Sequence, residues 1–258
     1  MKTTVRELVG SGPHVSVGLH AANLLRLGDE LDALARGGTR LIHLDVMDGV
    51  FCPQMTFGPL VVSAVPERFV KDVHLMVQEP LGKLGDYVDA GASILTFHLE
   101  STRYARRALV ELAGSGVLRG VALNPGTPVS WIEPLLGDLE LVLLLAIDPG
   151  WGGQRFAPSI EARLGALRRL LDGQRVLIGI DGAVTAANLS EVVGLGADLI
   201  VSGSAVFEGG DAEAGARSML ASAEASAIGH GVRSDARELV AAGGDDSRDD
   251  RTSGTDGS

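Results

Sequence analysis

The sequence predicts an α/β protein of the (β/α)8 class, a TIM barrel. Three observations carry that prediction. Short apolar segments alternate eight times with segments of helical periodicity over about 220 residues. The short segments are almost wholly apolar, as strands buried on both faces are. Polar residues gather where several of them end, and a barrel brings those ends together. An open doubly wound sheet would also alternate, but it would not need polar residues at so many strand ends.

Residues 15–19 read as the first strand. A helix over 23–35 follows, with Leu24, Leu25, Leu27, Leu31 and Leu34 at helical spacing, and Gly37-Gly38 ends it. The second strand opens at Leu41 and Ile42 after a Gly-Gly-Thr turn signal. It runs through His43-Leu44-Asp45-Val46-Met47 into Asp48-Gly49 and a proline loop at Pro53. Residues 59–65 form a short helix, 70–76 the third strand and 81–90 a helix. The fourth strand, 93–98, ends in His98-Leu99-Glu100, and 104–113 are helical. The fifth strand, 119–123, ends in Asn124-Pro125-Gly126-Thr127-Pro128, a turn that starts the next helix. The sixth, 139–145, is followed by Asp148-Pro149-Gly150-Trp151-Gly152-Gly153-Gln154, then a helix over 160–171. The seventh, 176–180, ends in Asp181-Gly182-Ala183, and 187–194 are helical. The eighth, 198–202, ends in Gly203-Ser204-Ala205, before a last helix over 212–225. Residues 1–228 make the barrel domain. From 229 to 258 Asp, Ser, Gly, Arg and Thr dominate, and a disordered acidic tail is expected.

The hydrophobic share of 45% is enough for a large core, and with aromatics at 4% that core must be built from Val, Leu, Ile and Ala. A formal net charge of -11 argues against nucleic acid as a partner. A lone cysteine, Cys52, excludes an internal disulfide framework and fits a reducing cytoplasm. Residues 1–13 show no signal-peptide pattern. The longest apolar run, 139–147, contains Glu140 and is too short to span a membrane, so no membrane partner is expected.

Side chains alternate along a strand, so His43, Asp45 and Met47 share a face. An imidazole and a carboxylate two residues apart can reach one metal ion. A buried, satisfied His-Asp pair would explain an isolated motif as well, but this pair sits at a strand end, where α/β folds keep their chemistry. The polar residues collected at strand ends are His43, Asp45, His74, His98, Glu100 and Asp181. His43, Asp45, His74 and Asp181 form a four-ligand set for a divalent ion, zinc above all. His98 reads equally as a hydrogen-bonded core residue and Glu100 as a loop-edge residue. Gly150-Trp151-Gly152-Gly153 is a candidate phosphate cradle. Tight turns also use glycine, but Gly182 and Gly203-Ser204 follow on the next two strands, where such barrels hold phosphate.

His43-Leu44-Asp45-Val46-Met47-Asp48-Gly49, Asp72-Val73-His74-Leu75-Met76-Val77, Asn124-Pro125-Gly126-Thr127-Pro128, Pro149-Gly150-Trp151-Gly152-Gly153-Gln154 and Gly203-Ser204-Ala205-Val206-Phe207 resemble ribulose-phosphate 3-epimerase. The resemblance runs in order over residues 15–207. It implies a metal-dependent isomerase on a barrel of the ribulose-phosphate-binding type. That family interconverts D-ribulose 5-phosphate and D-xylulose 5-phosphate in carbohydrate metabolism. The resemblance implies that His43, Asp45, His74 and Asp181 bind the metal, Zn2+ first, with Fe2+, Mn2+ or Co2+ as alternatives. Asp45 and Asp181 would be the acid/base pair. His74, Met47, Met76, Gly150, Trp151, Gly152, Gly153, Gly182, Ala183, Gly203 and Ser204 would contact the sugar phosphate. A cytoplasmic homo-oligomer is implied as well. Epimerisation beside a ketone needs a proton taken from one face and returned to the other, hence two acid/base groups. A metal would act as a Lewis acid on the ketone and stabilise the enediolate, with Met47 and Met76 as a dry, polarisable wall.

The sequence departs from that family at four places. Gly18 stands where a substrate-contacting serine is expected. Leu145 replaces a methionine, Gln54 an asparagine and Ala183 a glycine. Epimerisation of a related ketose phosphate, such as allulose 6-phosphate or a tetrulose phosphate, is therefore the alternative. A sugar-phosphate decarboxylase on a similar barrel would call for Asp-x-Lys-x-x-Asp at the end of strand three. That place reads Asp72-Val73-His74-Leu75-Met76, without lysine. A non-catalytic sugar-phosphate binder would not need two opposed carboxylates.

Overall fold

The computed structural model describes Val5 and residues 12–151 and 153–231. Among them, eight parallel strands close into a barrel in chain order. They are β1 (His14–Gly18), β2 (Leu41–Met47), β3 (Val70–Met76), β4 (Ile94–His98), β5 (Leu118–Leu123), β6 (Leu141–Leu145), β7 (Leu177–Asp181) and β8 (Leu199–Ser202). The α-helices are α1 (Leu27–Arg36), α2 (Pro59–Ala64), α3 (Leu84–Asp89), α4 (Ala105–Glu111), α5 (Ile160–Leu170), α6 (Leu189–Gly194), α7 (Ser204–Phe207) and α8 (Ala212–Gly229). The barrel expected from sequence is the fold found. None of the described helices is long and apolar enough to cross a membrane.

Period-two alternation divides each strand between two environments. One set, including Ile42, Leu44, Val73, Leu75, Leu95, Phe97, Val142, Leu144 and Ile200, packs outward into the main hydrophobic cluster, together with helix residues such as Leu34, Leu109 and Leu164. The other set points into the barrel. At its amino-terminal end Leu41, Ile94, Leu118, Leu141 and Leu199 form a separate apolar floor, with Val70 and Leu177 against it. Above the floor the columns of β2, β3, β4 and β7 turn polar, whereas those of β5, β6 and β8 stay apolar through Ala122, Leu143, Leu145 and Val201.

The helical segments differ from expectation where local chemistry competes. The helix expected over 23–35 is split. The Asn23 side chain accepts a hydrogen bond from the Leu25 amide, and a 3-10 turn, Leu24–Arg26, precedes α1. Leu24 and Leu25 are therefore exposed rather than part of the core face. Pro80 likewise opens a 3-10 turn (Pro80–Lys83) before α3. After β5 the segment Val129–Leu135 stays 3-10, with Pro134 inside it unable to donate an α-helical bond. Helix α7 was not anticipated, and α8 runs four residues beyond the expected 225, to Gly229. Most of the expected acidic tail, from residue 232, lies outside the described residues.

Candidate active site

Strands β2, β3 and β7 deliver the ionisable residues. Their register sets His43 beside Asp72, Asp45 beside His74 and Met47 beside Met76, while Leu145 pairs Asp181 across β6 and β7. One ligand atom from each of His43, Asp45, His74 and Asp181 falls within 4.8 Å of the others. His43 Nε2 lies 3.2 Å from Asp45 Oδ1 and 3.9 Å from Asp181 Oδ2. His74 Nδ1 lies 3.4 Å from each of the same two oxygens.

Each imidazole is aimed by what its other nitrogen does. His43 Nδ1 pairs with Asp72 Oδ2 at 2.7 Å, and the Ser16 hydroxyl donates to that oxygen at 2.9 Å. His74 Nε2 meets His98 Nε2 at 2.9 Å, and the two rings stack. His98 Nδ1 continues to Glu100 Oε2 at 3.3 Å. Glu100 Oε1 accepts from the Asn124 amide at 2.8 Å and from the Thr127 hydroxyl. His98 and Glu100 thus belong to the support of the cluster, as a hydrogen-bonded pair behind His74.

These contacts leave His43 Nε2 and His74 Nδ1 buried without a hydrogen-bond partner among the described residues. Buried polar atoms are normally paired. Two unpaired imidazole nitrogens facing two carboxylate oxygens fit a cation. The four ligand atoms lie within 4.8 Å of one another, near enough for one ion to reach them all. The nitrogen and carboxylate donor set suits zinc and its first-row neighbours.

The electrostatics are those of a tightly coupled cluster. Burial opposes charge on His43, but Asp72 and Asp45 overcome it and hold the imidazole well above its usual range. Burial would raise Asp45, yet the charge on His43, the bond from His20 and the His74 ring beside it hold it well below the carboxylate range. Burial likewise opposes charge on His74, and the carboxylates of Asp181 and Asp45 facing it raise it. His98 goes the other way, pushed down by burial to about 4.

A cavity of about 430 Å³ opens above the cluster. Asp45, Asp181, Met47, Met76 and Leu145 form its inner wall, and Gln54 also lines it. Met47 and Met76 pack with Cys52 and Phe51 as an apolar patch beside the carboxylates. The proline loop is pinned by Asp48, whose Oδ1 accepts from the Val50 and Phe51 amides, each at 2.9 Å. The cavity's outer wall holds Gly150, Trp151, Gly153, Gly182, Ala183, Gly203 and Ser204. Gly152, expected with them, lies outside the described residues. Gln154 ties this loop together through Asp148 and the Trp151 carbonyl. Glycine is needed at 150, where φ is +78° and a Cβ would sit 2.8 Å from Cys52 Cβ. Ala183 adopts φ 54°, a conformation that costs a residue with a Cβ.

Sequence reasoning did not find His20, Asp72 or Ser16. Asp72 and Ser16 share the inward parity of His74 and Gly18, so parity was the available signal. His20 lies past β1 on the 3-10 turn Leu19–Ala21, where strand parity no longer applies. Its Nδ1 nevertheless reaches Asp45 Oδ2 at 2.6 Å.

Residues 14–207 match the ribulose-phosphate 3 epimerase family. The ribulose-phosphate 3-epimerase of Bacillus subtilis is 40% identical over 198 residues, which is 75% of this chain and 91% of that protein. The chloroplastic ribulose-5-phosphate-3-epimerase of Arabidopsis thaliana is 40% identical over 220 residues, covering 83% of this chain and 78% of that one. Among solved structures, 3-hexulose-6-phosphate synthase from Salmonella typhimurium superposes with a TM-score of 0.59 at 15% identity, covering 84% of this chain and 99% of that one. Mycobacterium tuberculosis tryptophan synthase gives 0.64 at 14% identity, covering 86% and 98%. At such identities the likeness is one of fold alone.

Proposed function

Because this chain belongs to the ribulose-phosphate 3-epimerase family, we propose that it inverts carbon 3 of a ketose phosphate at the cluster on β2, β3 and β7, with D-ribulose 5-phosphate and D-xylulose 5-phosphate as the leading pair. The observation that carries this reading is the pair Asp45 and Asp181, both turned to the same two imidazoles from strands on different sides of the cavity.

Asp45 and Asp181 are the acid/base pair. One carboxylate takes the proton from carbon 3, and the other returns a proton to the opposite face. A divalent ion held by His43, Asp45, His74 and Asp181, Zn2+ first, would supply Lewis acidity toward the ketone oxygen. Met47, Met76 and Leu145 keep water from the reacting carbons, so a developing negative charge meets fixed groups rather than bulk solvent. Backbone amides of the loops at Gly150, Gly182, Ala183 and Gly203 would receive the phosphate, with Ser204 beside them. The free, buried Cys52 fits a reducing compartment such as the cytoplasm. A homo-oligomer and a catalytic unit ending near residue 228 complete the reading.

Incubation with D-ribulose 5-phosphate, allulose 6-phosphate and a tetrulose phosphate in heavy water tests it. Deuterium entry at carbon 3 together with epimer formation is expected, fastest with the pentulose. Fastest turnover with allulose 6-phosphate or the tetrulose would move the substrate, and no exchange with any of the three would remove the function.

A further inference from the structure

Asp45 divides its two oxygens. Oδ1 faces His43 Nε2 and His74 Nδ1, whereas Oδ2 is held by His20 Nδ1 at 2.6 Å. The His20 side chain is 44% exposed against 4% for Asp45, so the ring leads from the buried carboxylate out into the cavity. His20 lines that cavity together with Gly182, Gly203 and Ser204. Gly18 makes the arrangement fit. A Cβ at 18 would already touch the ring, 3.5 Å from both Cε1 and Nδ1, and a longer side chain would compete with the ring for the same space.

The two ring nitrogens have different tasks. An ionised carboxylate only accepts, so Nδ1 carries the hydrogen toward Asp45. Nε2 has no partner among the described residues. A ring fixed at one edge by a buried carboxylate presents its other edge at a defined place beside the oxygen that handles the carbon 3 proton. A substrate hydroxyl, which can donate or accept, is the group that satisfies Nε2 there.

We propose that His20 is a specificity-determining residue that hydrogen-bonds through Nε2 to the hydroxyl on the substrate carbon next to carbon 3. The role rests on the ketose-phosphate reading of the cavity. It links the exchange of a side chain at 18 for glycine to an imidazole at 20. A site built to pair with a hydroxyl discriminates by leaving its own polar group unpaired when that hydroxyl is missing or displaced.

Steady-state kinetics with D-ribulose 5-phosphate on the metal-loaded parent, His20→Leu, His20→Asn and His20→Gln test it. Asparagine keeps an amide where Nδ1 sits, whereas glutamine places one where Nε2 sits. His20→Asn, which keeps an amide on Asp45, should raise KM about tenfold, the worth of one hydrogen bond, with kcat within about threefold; His20→Leu should raise KM as much and lower kcat as well. His20→Gln should bring KM back to within about threefold of the parent. Metal content by elemental analysis should be the same in all four proteins. Unchanged KM in His20→Leu would overturn the role. So would a loss confined to kcat and rescued by asparagine, because the ring would then act only through Asp45. A parent that epimerises none of the three ketose phosphates named above would overturn the functional reading itself, and His20 with it.

Discussion

The floor and the rim of the barrel interior are built from the same strands and the same parity, yet they obey different rules. At the floor Leu41, Ile94, Leu118, Leu141 and Leu199 close on one another as an apolar cluster. A few residues further along the same columns, Asp45, His74, His98 and Asp181 crowd carboxylates and imidazoles into nearly dry space. Burying ionisable groups is costly unless each is paired. The rim meets that cost with a second layer, Asp72 with Ser16 behind His43, and His98 behind His74, itself backed by Glu100 and Thr127. The unpaired His43 Nε2 and His74 Nδ1 face the same two carboxylates. In the proposed reading the floor answers for stability, and the rim for chemistry.

His74→Ala breaks the rim most severely. One imidazole leaves the cluster, so bound metal should fall below about a tenth of the parent content and turnover by about 10³-fold or more, read by elemental analysis and epimer assay. Equal metal content in mutant and parent would separate His74 from the ligand set. Leu141→Ala is the matching lesion in the floor. Leu141 is buried, and its truncation should cost about 2–5 kcal/mol in denaturant unfolding while turnover of the folded enzyme stays within about threefold. A turnover loss as large as that of His74→Ala would mean that floor and rim are not separable.

The comparison sharpens with pH. Burial holds His98 at about 4, against the pull of Glu100 and with the help of His74. In the unfolded chain the imidazole titrates near about 6.5, so in that window the unfolded state binds a proton that the folded state does not. Stability should fall as pH drops from about 6.5 toward about 4, and His98→Asn should flatten the slope of unfolding midpoints against pH. His43 and His74 act in the opposite sense. Their folded values are raised, so in protein stripped of metal their contribution is full below about 6.5 and is lost as pH rises through those values. The smallest effect belongs to the outer wall. Ala183→Gly relieves a left-handed conformation and should raise stability by about 0.5–1 kcal/mol, seen as a small upward shift in melting temperature.

The strands were legible because burial on both faces leaves short, mostly apolar runs. The limits of β3 are those read from sequence, and β2 begins at the Leu41 expected. The four clustered residues were legible too, since His43 and Asp45 share parity and His74 and Asp181 sit at strand ends. The helix expected at 23–35 was misread because Asn23 satisfies a backbone amide locally and turns Leu24 and Leu25 to solvent. The support behind the cluster depends on cross-strand register, which one segment read alone does not contain. His20 was hidden for a related reason. Gly18 stood out as a departure, but the side chain that fills its space comes from a turn.

Epimer formation and deuterium entry at carbon 3, followed together in heavy water for Asp45→Asn and Asp181→Asn, test the central claim most directly. Metal content is determined in the same samples. With two opposed acid/base groups, each variant should lose epimerisation by about 10³-fold or more, and one-sided proton exchange should survive at most on the face whose carboxylate is intact. Either variant retaining its metal and epimerising close to the parent rate would contradict the two-carboxylate account.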